Sequence, residues 1–333
     1  MQRLERLNLP QKPSAQMQEL HPLVNFMWER NRAGSVRGER NDGRTVALAI
    51  EGGGHAGVIS AGMCVVLEAT GLIDTVDVIY GTSSGALNGS FTATGQAAIG
   101  STNYEDTANR RFSNPMRLLR GKSVIDFDFL FDDVIRNRKP YDPSGLETGP
   151  EFRAVVTNLD TREPEVLKSF EDVEDLMQAV RVSCSIPFLS RSVSYKGKHL
   201  ADGGLTASVP YKAAKSEGAT DVLVLRTKSA AYRIEPYSPK MINWISRLDP
   251  IIAELLEARP EIYNTDAEHL ESLDKRNGNI TQIAIPDNSV KVSRLEHSVA
   301  NVRKGLHIGA TAAAVVFGLP EIDVLWQPSI HLP

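Results

Sequence analysis

Residues 45–57, TVALAIEGGGHAG, and residues 76–85, VDVIYGTSSG, decide how this chain is read. Val46 to Ile50 is a continuous apolar run ending in glycines, the pattern of a strand buried on both faces. From Ala56 to Leu72 the apolar positions Val58, Ile59, Met63, Val66 and Leu67 recur at helical spacing, and the segment closes at Gly71. Val76 to Tyr80 repeats the buried-strand pattern. It runs into Gly81-Thr82-Ser83-Ser84-Gly85, after which an Ala/Gly-rich helix begins at Ala86. Residues 45–95 therefore spell β-α-β-α, the unit of a parallel sheet with covering helices.

Working outward, Phe152 to Thr157 reads as a further strand with Glu165 to Ser169 as its hairpin partner. Val173 to Ser183 is helical and is stopped by Pro187. Val193 to Tyr195 and His199 to Asp202 flank a turn at Lys196-Gly197, Pro210 to Gly218 is a helix, and Asp221 to Arg226 (DVLVLR) is another buried strand. After a Pro-bearing loop, Pro250 to Leu273 and Leu295 to Phe317 read as helices, with a strand at Thr281 to Ile285 between them. Residues 1–44 hold eight Lys/Arg against five acids, together with Pro10, Pro13 and Pro22. The stretch from Glu29 to Arg44 is too polar for a core element, so this segment is expected to be an arm, partly disordered, with a short helix around Leu23 to Arg30. The expected organisation is that arm (1–44), one α/β domain including the C-terminal helices (45–320), and a tail (321–333).

Composition narrows the class. The chain has 333 residues, 41% of them hydrophobic, which is enough to bury a sizeable core. Its net charge of −4 argues against a broadly basic nucleic-acid binder. No apolar stretch approaches the ~18 residues of a membrane-spanning helix; Ala312 to Phe317 comes nearest. Cys64 and Cys184 make neither a disulfide framework nor a metal-ligand spacing. The amino-terminal residues lack the apolar core of a secretory signal, so a cytoplasmic setting is expected.

The glycine loop Gly52-Gly53-Gly54-His55-Ala56-Gly57 fits G-x-G-x-x-G, which raises a dinucleotide site. That reading needs an acid at the end of the second strand to hold the ribose, and here that strand ends in Tyr80-Gly81-Thr82-Ser83; Asp74 and Asp77 lie at its other end. G-x-S-x-G at residues 81–85, by contrast, sits in the strand–turn–helix context that a nucleophilic serine requires. Ser83 would open a helix, where free N–H groups favour negative charge. Consecutive glycines at 52–54 suit an oxyanion hole, because their backbone can turn several N–H donors toward one point and let substrate approach. Asp202, in Leu200-Ala-Asp-Gly-Gly204 at a strand end, is the candidate base. Among the seven histidines, His21 and His331 are terminal and His269, His297 and His307 fall on helices. His199 points away from Asp202, and His55 sits in the glycine loop.

The glycine loop, GTSSG, Ser183-Cys-Ser-Ile-Pro-Phe188 and DGGLTASVP (202–210), in that order, resemble the patatin-like phospholipases and acyl hydrolases over residues 45–227. The resemblance implies a mostly parallel sheet in a three-layer α/β/α fold and a Ser-Asp dyad without histidine. On it, Ser83 is the nucleophile, Asp202 its base, and Gly52, Gly53 and Gly54 form the oxyanion hole. Gly57, Gly81, Gly85, Gly203 and Gly204 are the motif glycines. No metal or cofactor is implied, and the expected substrate is a lipid or other acyl ester. One departure stands out: the family usually carries Arg or Lys where this chain has Ala56, with His55 beside it as a partial substitute. Phe127, Phe129, Leu130 and Phe131, with Leu118 and Leu119, are candidates for an acyl-binding wall or lid. Arg110, Arg111, Arg117, Arg120 and Lys122 nearby are candidates for peripheral contact with an anionic membrane. Two other readings stay open: a soluble carboxylesterase on the same dyad, and a non-catalytic lipid-binding regulator.

Overall fold

The computed structural model describes residues 20–190, 193–275 and 278–319. In chain order these form α1 (Pro22–Arg32), β1 (Val46–Ile50), α2 (Val58–Ala69), β2 (Val78–Thr82), α3 (Ser84–Ala93), α4 (Ala97–Thr107), β3 (Glu151–Asn158), β4 (Glu163–Leu167) and α5 (Val173–Ser183). There follow β5 (Val193–Tyr195), β6 (Lys198–Asp202), α6 (Tyr211–Ser216), β7 (Asp221–Leu225), α7 (Pro239–Ser246), α8 (Pro250–Lys275), β8 (Ile280–Ile283) and α9 (Val299–Val316). A π-helix, Phe129–Arg138, lies between α4 and β3.

Strands β3-β2-β1-β7-β8 run parallel to their neighbours, and β4 and the β5-β6 hairpin add antiparallel pairs at β3. The buried run at β1 explains the layers. Val46, Leu48 and Ile50 face one core with α1, α2, α3, α5 and α9, while Ala47 and Ala49 face a second core with α6 and α8. Both faces are thus covered, giving three layers, α/β/α. Helices α2 and α9 cross where Gly62 and Gly309 remove the side chains that would keep the backbones apart: a Cβ on Gly309 would overlap the Ile59 carbonyl.

The structure corrects the arm expected over residues 1–44. Residues 1–19 and the tail at 321–333 lie outside the described residues. Residues 20–44, however, belong to the packed body. Leu23, Val24, Met27 and Trp28 of α1 are buried in the main core, and Trp28 Nε1 donates to the Phe317 carbonyl at 3.1 Å. The polar stretch that follows is a clamp: buried Arg30 donates to Asp42 and Asp77 and to the Thr75 and Arg44 carbonyls, Arg40 pairs with Asp77, and Arg44 with Asp221. Asp77 and Asp221 stand at the amino ends of β2 and β7, and Asp42 precedes β1. Charge density along the sequence gives no sign of partners so distant.

Besides the π-helix, two α-helices were not expected. Helix α4 buries polar Ser101, Asn103 and Thr107, which blurs its periodicity, and α7 turns Met241 and Trp244 outward. Helix α9 starts at Val299 rather than Leu295, because the Ser298 side chain caps it and the Glu296 carboxylate holds the Ser298 N–H.

Candidate active site

Strand β3 delivers two distant residues to one point. Along it, Thr82 of β2 lies opposite Val155 and Asp202 of β6 lies opposite Val156. Since β2 is parallel and β6 antiparallel to β3, their carboxyl ends meet at neighbouring rungs. Ser83, the next residue after β2, donates its Oγ hydrogen to Asp202 Oδ2 at 2.7 Å. Ser83 has φ 55° and ψ −127°, a conformation that side-chain-bearing residues rarely adopt, and it immediately precedes α3. The turn closes only because its flanks are glycine. A Cβ on Gly81 would fall within 3.0 Å of the Gly85 and Ala86 backbone, and one on Gly85 within 3.0 Å of the Ile50 carbonyl.

Asp202 is held from every side. Its Oδ1 accepts the Gly204 N–H at 2.6 Å, its N–H donates to the Ser185 carbonyl, and its carbonyl accepts Thr157 Oγ. Ser183 Oγ accepts the Ser83 N–H at 2.9 Å and donates to the Val155 carbonyl at 2.7 Å. The 183–188 segment thus grips both halves of the pair, a role that the sequence motif alone left blank. Burial pushes the Asp202 carboxyl above the usual aspartate range, against the pull of the Ser83 and Gly204 hydrogen bonds and the positive charge of Arg259 and Arg294.

The glycine loop divides its labour. The Gly52 N–H is already engaged, donating to the Ser208 carbonyl at 3.3 Å, so it is not free to meet an oxyanion as expected. The Gly53 and Gly54 amides have no acceptor among the described residues. Gly54 has φ +59°, and a Cβ there would strike the Arg294 carbonyl; Gly57 packs with equal closeness against Ser84, and Gly203 against the Val155 carbonyl. Beneath the loop lies a network the sequence reading missed. Glu51 accepts from Thr227 N–H (2.6 Å), Arg226 Nε (3.2 Å) and Tyr263 OH (2.7 Å), and Arg226 reaches Gln282. All of these groups are buried and hydrogen-bonded, which locks the loop to the ends of β1 and β7.

A cavity of about 350 Å³ opens onto Ser83, Asp202 and the glycine loop, with Phe112, Ile125, Phe127, Leu130, Ile186 and Leu189 among its apolar walls. The aromatic cluster therefore splits. Phe127 and Leu130 line the cavity; Phe129 and Phe131 are buried, with Arg111 over the Phe129 ring and Arg181 over the Phe131 ring. Leu118 and Leu119 stand exposed. Arg111 pairs with Asp133 and Arg117 with Asp126, whereas Arg110, Arg120 and Lys122 have no carboxylate partner among the described residues.

No histidine among the described residues is hydrogen-bonded to Ser83 or Asp202. His55 is buried between Phe112 and Tyr104, with Nε2 3.1 Å from Thr107 Oγ. Burial holds its pKa below the usual value, so the ring is a neutral wall and no substitute for a cation at position 56. His297 lies in the turn before α9, not on a helix, and meets Ser113 Oγ at 2.7 Å. Cationic side chains do reach the cavity from elsewhere: Lys228, Arg259 and Arg294 all line it.

Comparison with known proteins agrees with these motifs. A family described as patatin-like phospholipase matches residues 48–215. The chain is 28% identical over 218 residues to the uncharacterized protein YjjU of Escherichia coli K12, a stretch that is 62% of this chain and 59% of that relative's length. Among solved structures, VipD from Legionella pneumophila is matched over 82% of this chain and 66% of that one, with 15% identity and a TM-score of 0.43. Human GIVD cytosolic phospholipase A2 is matched over 44% and 26%, with 12% identity and a TM-score of 0.28.

Proposed function

The chain belongs to the patatin-like phospholipase family, and from that premise we propose that it hydrolyses fatty-acyl esters of lipids with Ser83 as nucleophile and Asp202 as general base. The observation that carries this reading is the 2.7 Å hydrogen bond from Ser83 Oγ to Asp202 Oδ2 at the floor of an apolar cavity. In the first step Asp202 takes the Oγ proton while Oγ bonds to the ester carbonyl carbon. Negative charge develops on the carbonyl oxygen and is met by the Gly53 and Gly54 amides. Collapse of the tetrahedral species returns the proton to the leaving alcohol or lysolipid and leaves an acyl-Ser83 ester. Water, deprotonated by Asp202, then releases the fatty acid and restores the hydroxyl. Burial helps Asp202 here: a carboxylate kept out of water is a stronger base toward a hydroxyl than a solvated one.

The surroundings favour a lipid over a small soluble ester. Phe127, Leu130 and Ile186 offer an acyl chain an apolar wall. Outside the cavity, Met116, Leu118 and Leu119 are exposed, with Arg110, Arg120 and Lys122, which have no carboxylate partner among the described residues, close in sequence; Trp244 stands exposed near Phe188, and Leu248 is exposed as well. Apolar side chains mixed with free cations suit peripheral docking on an anionic bilayer. No helix among the described residues is long and apolar enough to cross a membrane.

Hydrolysis of p-nitrophenyl esters from acetate to palmitate, by the wild type, Ser83→Ala and Asp202→Asn, tests the reading. Loss of activity in both variants with a long-chain preference in the wild type is expected. Full activity in Ser83→Ala would overturn the mechanism, and a short-chain preference unaffected by liposomes would point to a soluble carboxylesterase instead.

A further inference from the structure

We infer that Lys228 and Arg294 form an anion subsite in the wall of the cavity that receives the phosphate of a lipid headgroup, so that the preferred substrate is an anionic phospholipid or lysophospholipid. This rests on the ester-hydrolase reading of the same cavity and adds the chemistry of the substrate's polar end.

Among the described residues, five charged side chains line the cavity. Two are carboxylates. Glu51 is consumed by Arg226, Tyr263 and the Thr227 amide, and Asp202 by Ser83 and Gly204. Three are cations. Arg259 is engaged with the Gly204 carbonyl, Tyr237 OH and Ser208 Oγ, none of them charged. Lys228 and Arg294 have no hydrogen-bonded carboxylate among the described residues; the Lys228 ammonium lies 5.6 Å from the centre of the Tyr232 ring. The cavity therefore holds more positive charge than its own acids neutralise, inside mostly apolar walls that strengthen its field.

Location gives the excess a direction. Lys228 follows β7 in the loop at the carboxyl end of the parallel strands, where open α/β sheets place their ligands. Arg294 arrives from the turn before α9, and its carbonyl accepts the His55 N–H at 3.0 Å, which fixes it against the glycine loop. Burial pulls the Lys228 ammonium below the usual lysine range; the Glu51 carboxylate opposes that pull, while the neighbouring charges of Arg294 and Lys291 add to it. An ammonium that is desolvated, crowded by like charge and without an acceptor is relieved by an incoming anion. The acyl chain and the ester have their places at the apolar wall and at Ser83, so the group at hand to fill this one is the phosphate on the far side of the scissile ester.

Two assays test it, one without turnover. In the Ser83→Ala background, binding of palmitoyl lysophosphatidylglycerol, palmitoyl monoacylglycerol and inorganic phosphate is measured, with and without Lys228→Met and Arg294→Gln. Each substitution is expected to weaken the lysophosphatidylglycerol complex about tenfold or more, as the loss of one charge-assisted hydrogen bond does, and to leave monoacylglycerol binding where it was. With active protein, the ratio of kcat/KM for lysophosphatidylglycerol to that for p-nitrophenyl butyrate should fall by a similar factor. Equal binding and an equal ratio in the double variant would overturn the subsite. Inorganic phosphate bound tightly while the lysolipid shows no dependence on Lys228 or Arg294 would place a free phosphate there and also overturn it. Absence of ester turnover with Lys228-dependent lysolipid binding would sink the hydrolase reading and leave the subsite standing.

Discussion

The two ends of the parallel sheet are built on opposite terms. At the carboxyl end, Ser83 is held in a strained conformation, Asp202 is buried, and Lys228 and Arg294 have no hydrogen-bonded carboxylate among the described residues. At the amino end, Arg30, Arg40 and Arg44 pair with Asp42, Asp77 and Asp221 around the starts of β1, β2 and β7. Asp77 also accepts the Val46 N–H at 2.7 Å, so one carboxylate ties the clamp to the central strand. One end stores strain and unbalanced charge where a reaction can use them. The other neutralises charge for charge and offsets that cost, which is the arrangement expected of a fold that carries a site at one pole.

The largest test of this contrast removes the reacting pair. Ser83→Ala or Asp202→Asn is expected to lower kcat/KM by ~10³-fold or more. Asp202→Asn should leave the thermal midpoint unchanged or higher, since it removes a buried charge; a large drop would mean that Asp202 is chiefly structural. The acid limb of the wild-type pH–rate profile should lie above the ordinary aspartate range, with activity lost as pH falls through the raised Asp202 pKa. At the opposite pole, Arg30→Ala should cost about 3 kcal/mol by removing the ion-pair partner of Asp42 and one of the two of Asp77, read from urea unfolding, with kcat/KM preserved in the folded fraction. Ser83→Gly sharpens the comparison from the active end: relief of the strained turn should raise stability by about 1–2 kcal/mol while abolishing hydrolysis. Smallest is the contribution of Asp42, whose carboxyl the Arg30 guanidinium holds at about 2. A carboxyl lowered on folding stabilises above its unfolded pKa, so about 1 kcal/mol, after allowance for solvent screening, should be lost between pH 4 and pH 2, and Asp42→Asn should flatten that slope.

The same contrast decides what the sequence made legible. The active pole is written in contiguous glycine-rich motifs, because close backbone approach forbids any side chain there, and those constraints are local. The strands that carry Ser83 and Asp202, and the tight turn at Ser83, could be read for that reason. The clamp is written in pairs such as Arg44 with Asp221, far apart in the chain, and residues 29–44 looked like solvated arm until their partners were in view. The Glu51–Arg226–Tyr263 network and the cations of the cavity wall went unread for the same cause. The Gly52 amide failed as an expectation for a subtler one: a motif gives residue types, while the Ser208 carbonyl that occupies this N–H is a property of the folded loop.

Ser83 and Asp202 lie 119 positions apart, yet Thr82, just before the serine, and Asp202 face adjacent residues of β3. A ribosome completes the serine and strands β1 to β4 well before it adds the aspartate, and the β5-β6 hairpin can dock on β3 only after Asp202 has emerged. Until then the hydroxyl has no base. On the proposed chemistry, a nascent chain could not attack the cell's own lipids before that docking step, and hydrolytic competence would arrive with it.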